Sequence, residues 1–408
     1  DNLIHDITFG GINLRNSSYA AITKNVIHDV DYGIYMRDMR ITNQGGAAYK
    51  SIDSNTVQTR FAGIWFNLYH ATPYSVTNNI VNANNYAING NTKWYGIMFS
   101  TVSGAQNFTG QPNLPLVATP EYWSLTNNTI DGSGMNPATI GHGYWLWSLD
   151  NFRDNLGVDH FTQINGGSVS NVDYGVFMHN VDNDVVNTNF LVAALGAHAR
   201  INGTSISVKA AGNGIYMRDD PTWTSSNPAP LINKRDVKAE ILNTTINGAS
   251  AASGILVNGT FANANIHDNP STITGAVIGV DIDGGTAAIY RNNITANGTG
   301  VRVKNSGNLD SAMENFITSN TVDGINIEST AGTIGIISNN DLSGNTGFAI
   351  KYLKPTPSLS VSCNWYGSVL AANVASKISG NVSYLNFLTN GADNDGGTNG
   401  FQIIPGSC

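Results

Sequence analysis

A short phrase recurs along this chain, and its length limits the possible folds more than any other feature. The phrase is Gly or Ala, then an apolar residue, a variable one, usually another apolar one, and another variable one. Eleven copies are found, starting at Gly11, Gly33, Gly63, Gly143, Gly175, Gly214, Gly254, Gly279, Gly300, Gly324 and Gly347. The last four begin 21 to 24 residues apart, too short for any copy to bury its own apolar face. Copies must stack, and short parallel strands stacked through turns predict an all-β, single-stranded parallel β-helix.

Residues two apart on a strand share a face. Ile34 and Met36, Ile64 and Phe66, Val176 and Met178, Ile215 and Met217, and Ile325 and Ile327 are therefore expected inside. The positions between them point outward, and they change character along the chain. Early copies carry Tyr35, Trp65, Trp145, Phe177 and Tyr216 at the first outward position, with Met98 in a displaced copy at Gly96. The next outward position holds Arg37, Asn67, Ser100, Trp147, His179 and Arg218. Later copies substitute Leu256 and Asn258, Asp281 and Asp283, Arg302 and Lys304, Asn326 and Glu328, and Ala349 and Lys351. Rings stabilise neighbours across strands, but rings beside Arg, Asn, Ser and His also suit a sugar polymer, whose ring faces stack and whose hydroxyls need polar partners.

Insertions concentrate in the same half. The copies at Gly63, Gly143, Gly175 and Gly214 are separated by 80, 32 and 39 residues, and a weaker copy at Ala87-Ile88 lies in the longest gap. Loops are expected over about 102–122, 131–142 and 219–237, with Pro112, Pro115, Pro120, Pro221, Pro228 and Pro230 stiffening them. Asn25, Asn55, Asn79, Asn128, Asn293, Asn315 and Asn339 recur at one turn and are expected to hydrogen-bond along the stack. The 44 glycines suit a chain that turns every few residues.

Charged residues make up 12% of the chain, the formal net charge is -8, and no basic run occurs. Non-specific nucleic-acid binding is excluded on that balance, and a neutral or weakly acidic glycan is favoured over a highly anionic one. No stretch is apolar enough to span a bilayer. Cys363 and Cys408 bracket the last segment, so 1–362 is expected as the repeat domain, with 363–408 as a disulfide-stapled cap of the same domain. A disulfide suits an oxidising compartment, and the start at Asp1 without a signal peptide suggests a mature piece of a longer secreted protein. Sequons at Asn127, Asn202, Asn243, Asn258, Asn293 and Asn381 are glycan acceptors where the host uses them.

The Asn-rich coils, the Gly-Ile-Tyr-Met strands and the closing Cys363-Asn364-Trp365-Tyr366-Gly367-Ser368 resemble the superfamily of secreted right-handed parallel β-helix proteins. Pectate-lyase-like enzymes, glycoside hydrolases, epimerases and noncatalytic bacterial surface proteins share that architecture. The resemblance implies a right-handed coil and secretion or cell-surface display in a bacterium. It transfers no catalytic residue.

Function is then read from the groove itself. Hydrolysis needs two carboxyls across the scissile bond. Acidic residues near the aromatic stripe are Asp38, Glu121, Asp150, Asp154, Asp219 and Asp220, and Asp150 with Asp219 or Asp220 is the preferred acid and base. Elimination would instead use His179 or His142 as base and Arg218 or Arg37 to neutralise a uronate. A noncatalytic carbohydrate-binding or adhesive module is the third reading. No cofactor or metal is expected, and Asp281 with Asp283 is read as a solvated face or a weak cation site.

Overall fold

The computed structural model describes residues 1–15, 20–37, 50–67, 75–84, 92–100, 123–147, 150–152, 161–180, 194–219 and 237–408. The chain divides into two compact units, one of residues 1–205 with 218–238, the other of 206–217 with 239–408. Among the described residues the only α-helix is Ala371–Ser376.

In the first unit, successive passes of the chain lie in parallel register. One ladder joins Gly10–Arg15, Val26–Arg37, Thr56–Asn67, Lys93–Ser100, Ile140–Trp147 and Ser168–Asn180. A second passes from Leu3–His5 through the first halves of Val26–Arg37 and Thr56–Asn67 to Ile80–Ala83, Thr129–Asp131 and the start of Ser168–Asn180. The third joins Ala20–Thr23, Lys50–Asp53, Ser75–Thr77, Ser124–Thr126, Thr162–Asn165 and Ala194–Asn202.

The first two ladders are not separate, because long strands turn from one into the other. Thr56–Asn67, Ile80–Ala83, Thr129–Asp131, Ser168–Asn180, Ile140–Trp147 and Lys93–Ser100 pair in that cyclic order, all parallel, and the order closes on itself. This finding corrects the expected fold class and the resemblance built on it. In place of an open, right-handed, single-stranded parallel β-helix over 1–362 there is an all-β arrangement with a closed ring of six parallel strands and further strands around it. The repeat phrase marks one short strand per copy, whereas Thr56–Asn67 and Ser168–Asn180 run 12 and 13 residues and each serves two ladders.

The second unit repeats the local geometry with shorter connections. Ser253–Asn258, Ile278–Asp283, Thr299–Lys304, Ile325–Ile327, Ile350–Tyr352 and Ile378–Ser379 form one parallel ladder. Ala262–Thr274, Thr286–Thr295, Asn308–Met313 and Ile334–Ser338 form another. Cys363 and Cys408 are disulfide-bonded across 45 residues of chain, and Val374, Leu388 and Phe401 of that segment are fully buried.

Two sequence features position these strands. Every inward residue named above, from Ile34 and Met36 to Ile325 and Ile327, is 0% exposed. At ~25 cal/mol per Å² of apolar surface, such burial is the main stabilising term. The repeat glycine is required by crowding. A Cβ on Gly63 would come 2.6 Å from the carbonyl oxygen of Gly96, and one on Gly254 equally close to that of Gly279. Gly96 is therefore a full member of the series, between Gly63 and Gly143. Gly347 is not, since Ile325 pairs with Ile350 and Ala349 takes the glycine's place; Ala349 is accordingly buried rather than outward.

Asparagines, all buried except Asn2, tie neighbouring passes together. Asn2, Asn25, Asn55 and Asn79 each donate the side-chain amide to Oδ1 of the next member, over 2.9–3.0 Å, ending at Asn128. In the second unit Asn269, Asn292, Asn315, Asn340 and Asn364 form the same ladder. Asn297, Asn320 and Asn345 form another. Asn292 and Asn340 are the members, not their neighbours Asn293 and Asn339, because Asn-Asn pairs leave the register open in composition alone.

Candidate functional site

The outward rings of the first unit stand in a single column, set by the parallel register. Tyr35, Trp65, Met98, Trp145 and Phe177 occupy equivalent positions on five successive strands. A second column, three residues earlier, holds Tyr32, Ala62, Tyr95, His142 and Tyr174. At Ala62 the missing ring is supplied by Phe61, whose edge meets Tyr32 at 5.2 Å and Tyr95 at 5.3 Å between centroids. Only His142 of this second column was singled out as a candidate. The signal for the rest was nonetheless visible, since Tyr or His immediately precedes Gly33, Gly96, Gly143 and Gly175.

The rings mostly face one another. Trp145 stacks on Phe177 at 4.5 Å and 17°, Tyr95 on His142 at 4.9 Å and 19°, and His142 on Tyr174 at 5.0 Å and 23°. Tyr35 lies against Trp65 at 4.5 Å. Tyr35, Met98 and Phe177 retain 5–6% exposure, while Trp65 and Trp145 are half-buried. A pyranose stacks on an open ring face, and here the faces are occupied by neighbouring passes. What the columns supply is packing, worth ~0.5–1.5 kcal/mol per ring pair beyond area burial.

Polar groups complete this face. The Trp65 indole N–H donates to Ser100 Oγ at 2.7 Å, and Asn67 Nδ2 to the Tyr35 hydroxyl at 3.2 Å. Lys93 Nζ lies 5.8 Å from the centre of the Trp145 ring. Asp173 accepts the Gly141 backbone N–H at 2.6 Å. Burial pushes the His142 pKa down to about 3 and that of Tyr95 up to about 12. Both are neutral near pH 7, and so low a pKa makes the His142 imidazole a weak base for an elimination.

The predicted site residues distribute as follows. Arg37, Asn67 and Ser100 share one register position, and Trp147 pairs with His179 one strand further on. His179 is half-buried, Arg37 and Arg218 are exposed, and Asp219 is 1% exposed. Tyr216 lies on the strand Ser205–Asp219, in the part of it grouped with the second unit. Asp150 begins a strand antiparallel to Ala194–Asn202, opposite Ala197; its side chain, like that of Trp147, lies outside the described residues. Asp38, Glu121, Asp154 and Asp220 lie outside them entirely, as does the weaker copy at Ala87-Ile88. Of the candidate catalytic carboxylates, only Asp219 has its side chain among the described residues.

In the second unit the corresponding outward positions hold ion pairs. Arg302 donates to Asp281 through two nitrogens, at 2.9 and 2.6 Å, and Lys304 lies 3.1 Å from Asp283. Lys351 lies 3.6 Å from Asp323. The positive charge at Asp281 and Asp283 thus comes from the protein itself. No group of three or more His, Cys, Asp or Glu suited to holding a metal ion is found among the described residues.

No family model matches this chain, and neither a curated protein nor a solved structure does. With the fold corrected and no relative to supply an active-site pattern, the reading as a secreted glycan-cleaving β-helix enzyme, hydrolase or lyase, is withdrawn.

Proposed function

We propose that the first unit is a rigid noncatalytic scaffold whose inserted segments recognise a neutral saccharide chain. One observation carries this reading: the inserted segments begin at equivalent points. Arg37, Asn67 and Ser100 share a register position, and the chain leaves the described strands directly after each of them, into 38–49, 68–74 and 101–122. Two further strands of the same ladder, ending at Trp147 and Asn180, are followed by 148–149 and 181–193. Recognition commonly resides in such segments on a stiff frame, and the stacked columns of the first unit stiffen the strands they leave.

The composition of the segments indicates the partner class. They are rich in Asn and Thr, and carry Tyr69, Tyr74, Tyr86, Tyr122 and Trp223; 85–91 has no charge and 101–122 only Glu121, while 220–236 balances Asp220 and Asp236 with Lys234 and Arg235. Rings that stack and uncharged groups that exchange hydrogen bonds suit a neutral polymer of hydroxyls, as they suit adaptable binding loops in general. The disulfide fits an extracellular setting.

Replacing 101–122 and, separately, 220–236 with short Gly-Ser turns, then titrating neutral polysaccharides by calorimetry, tests the proposal. Binding by the native chain that is lost in at least one replacement, with the melting transition retained, is the expected result. Absence of binding across the panel, or binding indifferent to both replacements, would sink it.

A further inference from the structure

The tripeptide Ile-His-Asp occurs three times, at 4–6, 27–29 and 266–268. Each time the Asp takes a left-handed backbone, at φ 56°, 56° and 50°, which its short polar side chain tolerates. The turn brings the carboxylate back onto the preceding ring. Nδ1 lies 2.7 Å from Asp6 in the first copy, 2.6 Å from Asp29 in the second and 2.8 Å from Asp268 in the third. An ionised carboxylate only accepts, so Nδ1 carries the proton and Nε2 of the neutral ring keeps its lone pair.

What faces Nε2 separates the copies. His267 is 8% exposed, stacks on Tyr290 at 4.9 Å and has Glu240 3.1 Å from its Nε2. That ring is closed into an ion-paired network, since Arg291 holds Asp268 through two nitrogens. Among the described residues nothing pairs with Nε2 of His5 or His28, whose side chains are 46% and 35% exposed.

These two open rings are neighbours. Parallel register sets His5 opposite His28, and the rings lie 5.1 Å apart at an angle of 5°. Because each turns Nδ1 to its own aspartate, their Nε2 edges stand side by side. Zn–N bonds are about 2.0–2.1 Å, so one ion reaches both nitrogens once the exposed rings tilt to bring them within about 4 Å. A carboxylate on the far nitrogen is the usual support of a metal-bound imidazole, fixing its tautomer and raising its basicity.

We infer that His5 and His28 form a two-histidine surface site for a divalent first-row transition ion that prefers imidazole, such as Zn²⁺, with water in the remaining positions. Asp6 and Asp29 are its positioning residues. The site rests on the register between Leu3–His5 and Val26–Arg37 and is independent of the saccharide reading.

The test titrates Zn²⁺ into the full chain by calorimetry, in parallel with NMR of isotope-labelled histidine rings. Zn²⁺ should move the Nε2 signals of two histidines together, and His5→Gln and His28→Gln should each abolish that joint response. Asp6→Asn, at a side chain 75% exposed, should weaken the binding about tenfold through loss of the carboxylate behind the ring. Circular dichroism should give Asp6→Asn the same melting curve as the native chain. No binding up to about 1 mM Zn²⁺, binding that survives either histidine substitution, or binding indifferent to Asp6→Asn overturns the inference.

Discussion

The two units use the same inward pattern and opposite outward ones. In the first, Tyr35, Trp65, Met98, Trp145 and Phe177 stand in line; in the second, Leu256, Asp281, Arg302, Asn326 and Lys351 do. Both retain the buried Ile, Val and Met alternation, the crowded glycine and an asparagine ladder. The strands therefore depend on what points inward and on the turn, while the outer column is free to be aromatic or ion-paired. Where it is aromatic, long segments leave the strand ends; where it is charged, connections stay short. That association is the reason for assigning recognition to the first unit.

The comparison can be broken most severely at the shared core. Ile64→Asp and Ile282→Asp each bury a carboxylate without a partner and should cost more than about 4 kcal/mol. Urea denaturation should show equal severity in both units, and a mild effect in either would mean that its interior is not close-packed. Next in size is the ladder. Asn55→Ala and Asn315→Ala each strand donors from the preceding Asn and a carbonyl, with an expected loss of about 3 kcal/mol. A much smaller loss in one unit would show that its ladder is ornamental.

The outer columns should separate the units by their response to salt. Trp145→Ala removes the stack on Phe177 and is expected to cost about 3 kcal/mol whatever the salt concentration. Asp281→Ala leaves Arg302 without its bidentate partner and should cost about 2 kcal/mol in dilute buffer. Repeating the melts in 1 M NaCl, where the Debye length falls to roughly 3 Å, should shrink only the second difference. Equal shrinkage would erase the distinction between a stacked and an ion-paired face.

The effect that is smallest for any single step of the variable concerns pH. His142 is neutral in the folded state, with a pKa of about 3 against 6.5 for a free side chain, because burial disfavours its charged form. Between those values the unfolded chain binds a proton that the folded chain does not, so acid destabilises the first unit, by at most about 1.4 kcal/mol per pH unit. In the second unit, the Arg291 guanidinium, with help from His267, holds the Asp268 carboxyl below its ordinary 3.8. That contribution is present above pH 3.8 and is lost only as pH falls below it. His142→Phe should keep the stack with Tyr95 and Tyr174 while flattening the slope of stability between pH 6.5 and 3. An unchanged slope would place the acid sensitivity elsewhere.

The amino-acid order by itself determined the local geometry: the inward alternation on each strand, the need for a small residue once per copy and that asparagines would stack. Each of these follows from a period-two alternation or from one backbone pressing on the next, and both are written in neighbouring residues. Only the tertiary structure decided how passes meet. Register chose Asn292 and Asn340 over the adjacent asparagines, put Gly96 into the series and Ala349 in place of Gly347, and let two long strands close a ring of six where an open coil was expected. It also turned the rings of Trp145 and Phe177 face to face, because a ring 4.5 Å from its neighbour gains more by stacking than by facing water. An outward aromatic in a sequence declares its side of the strand. Whether its face is free is a property of the next pass of chain, which lies tens of residues away.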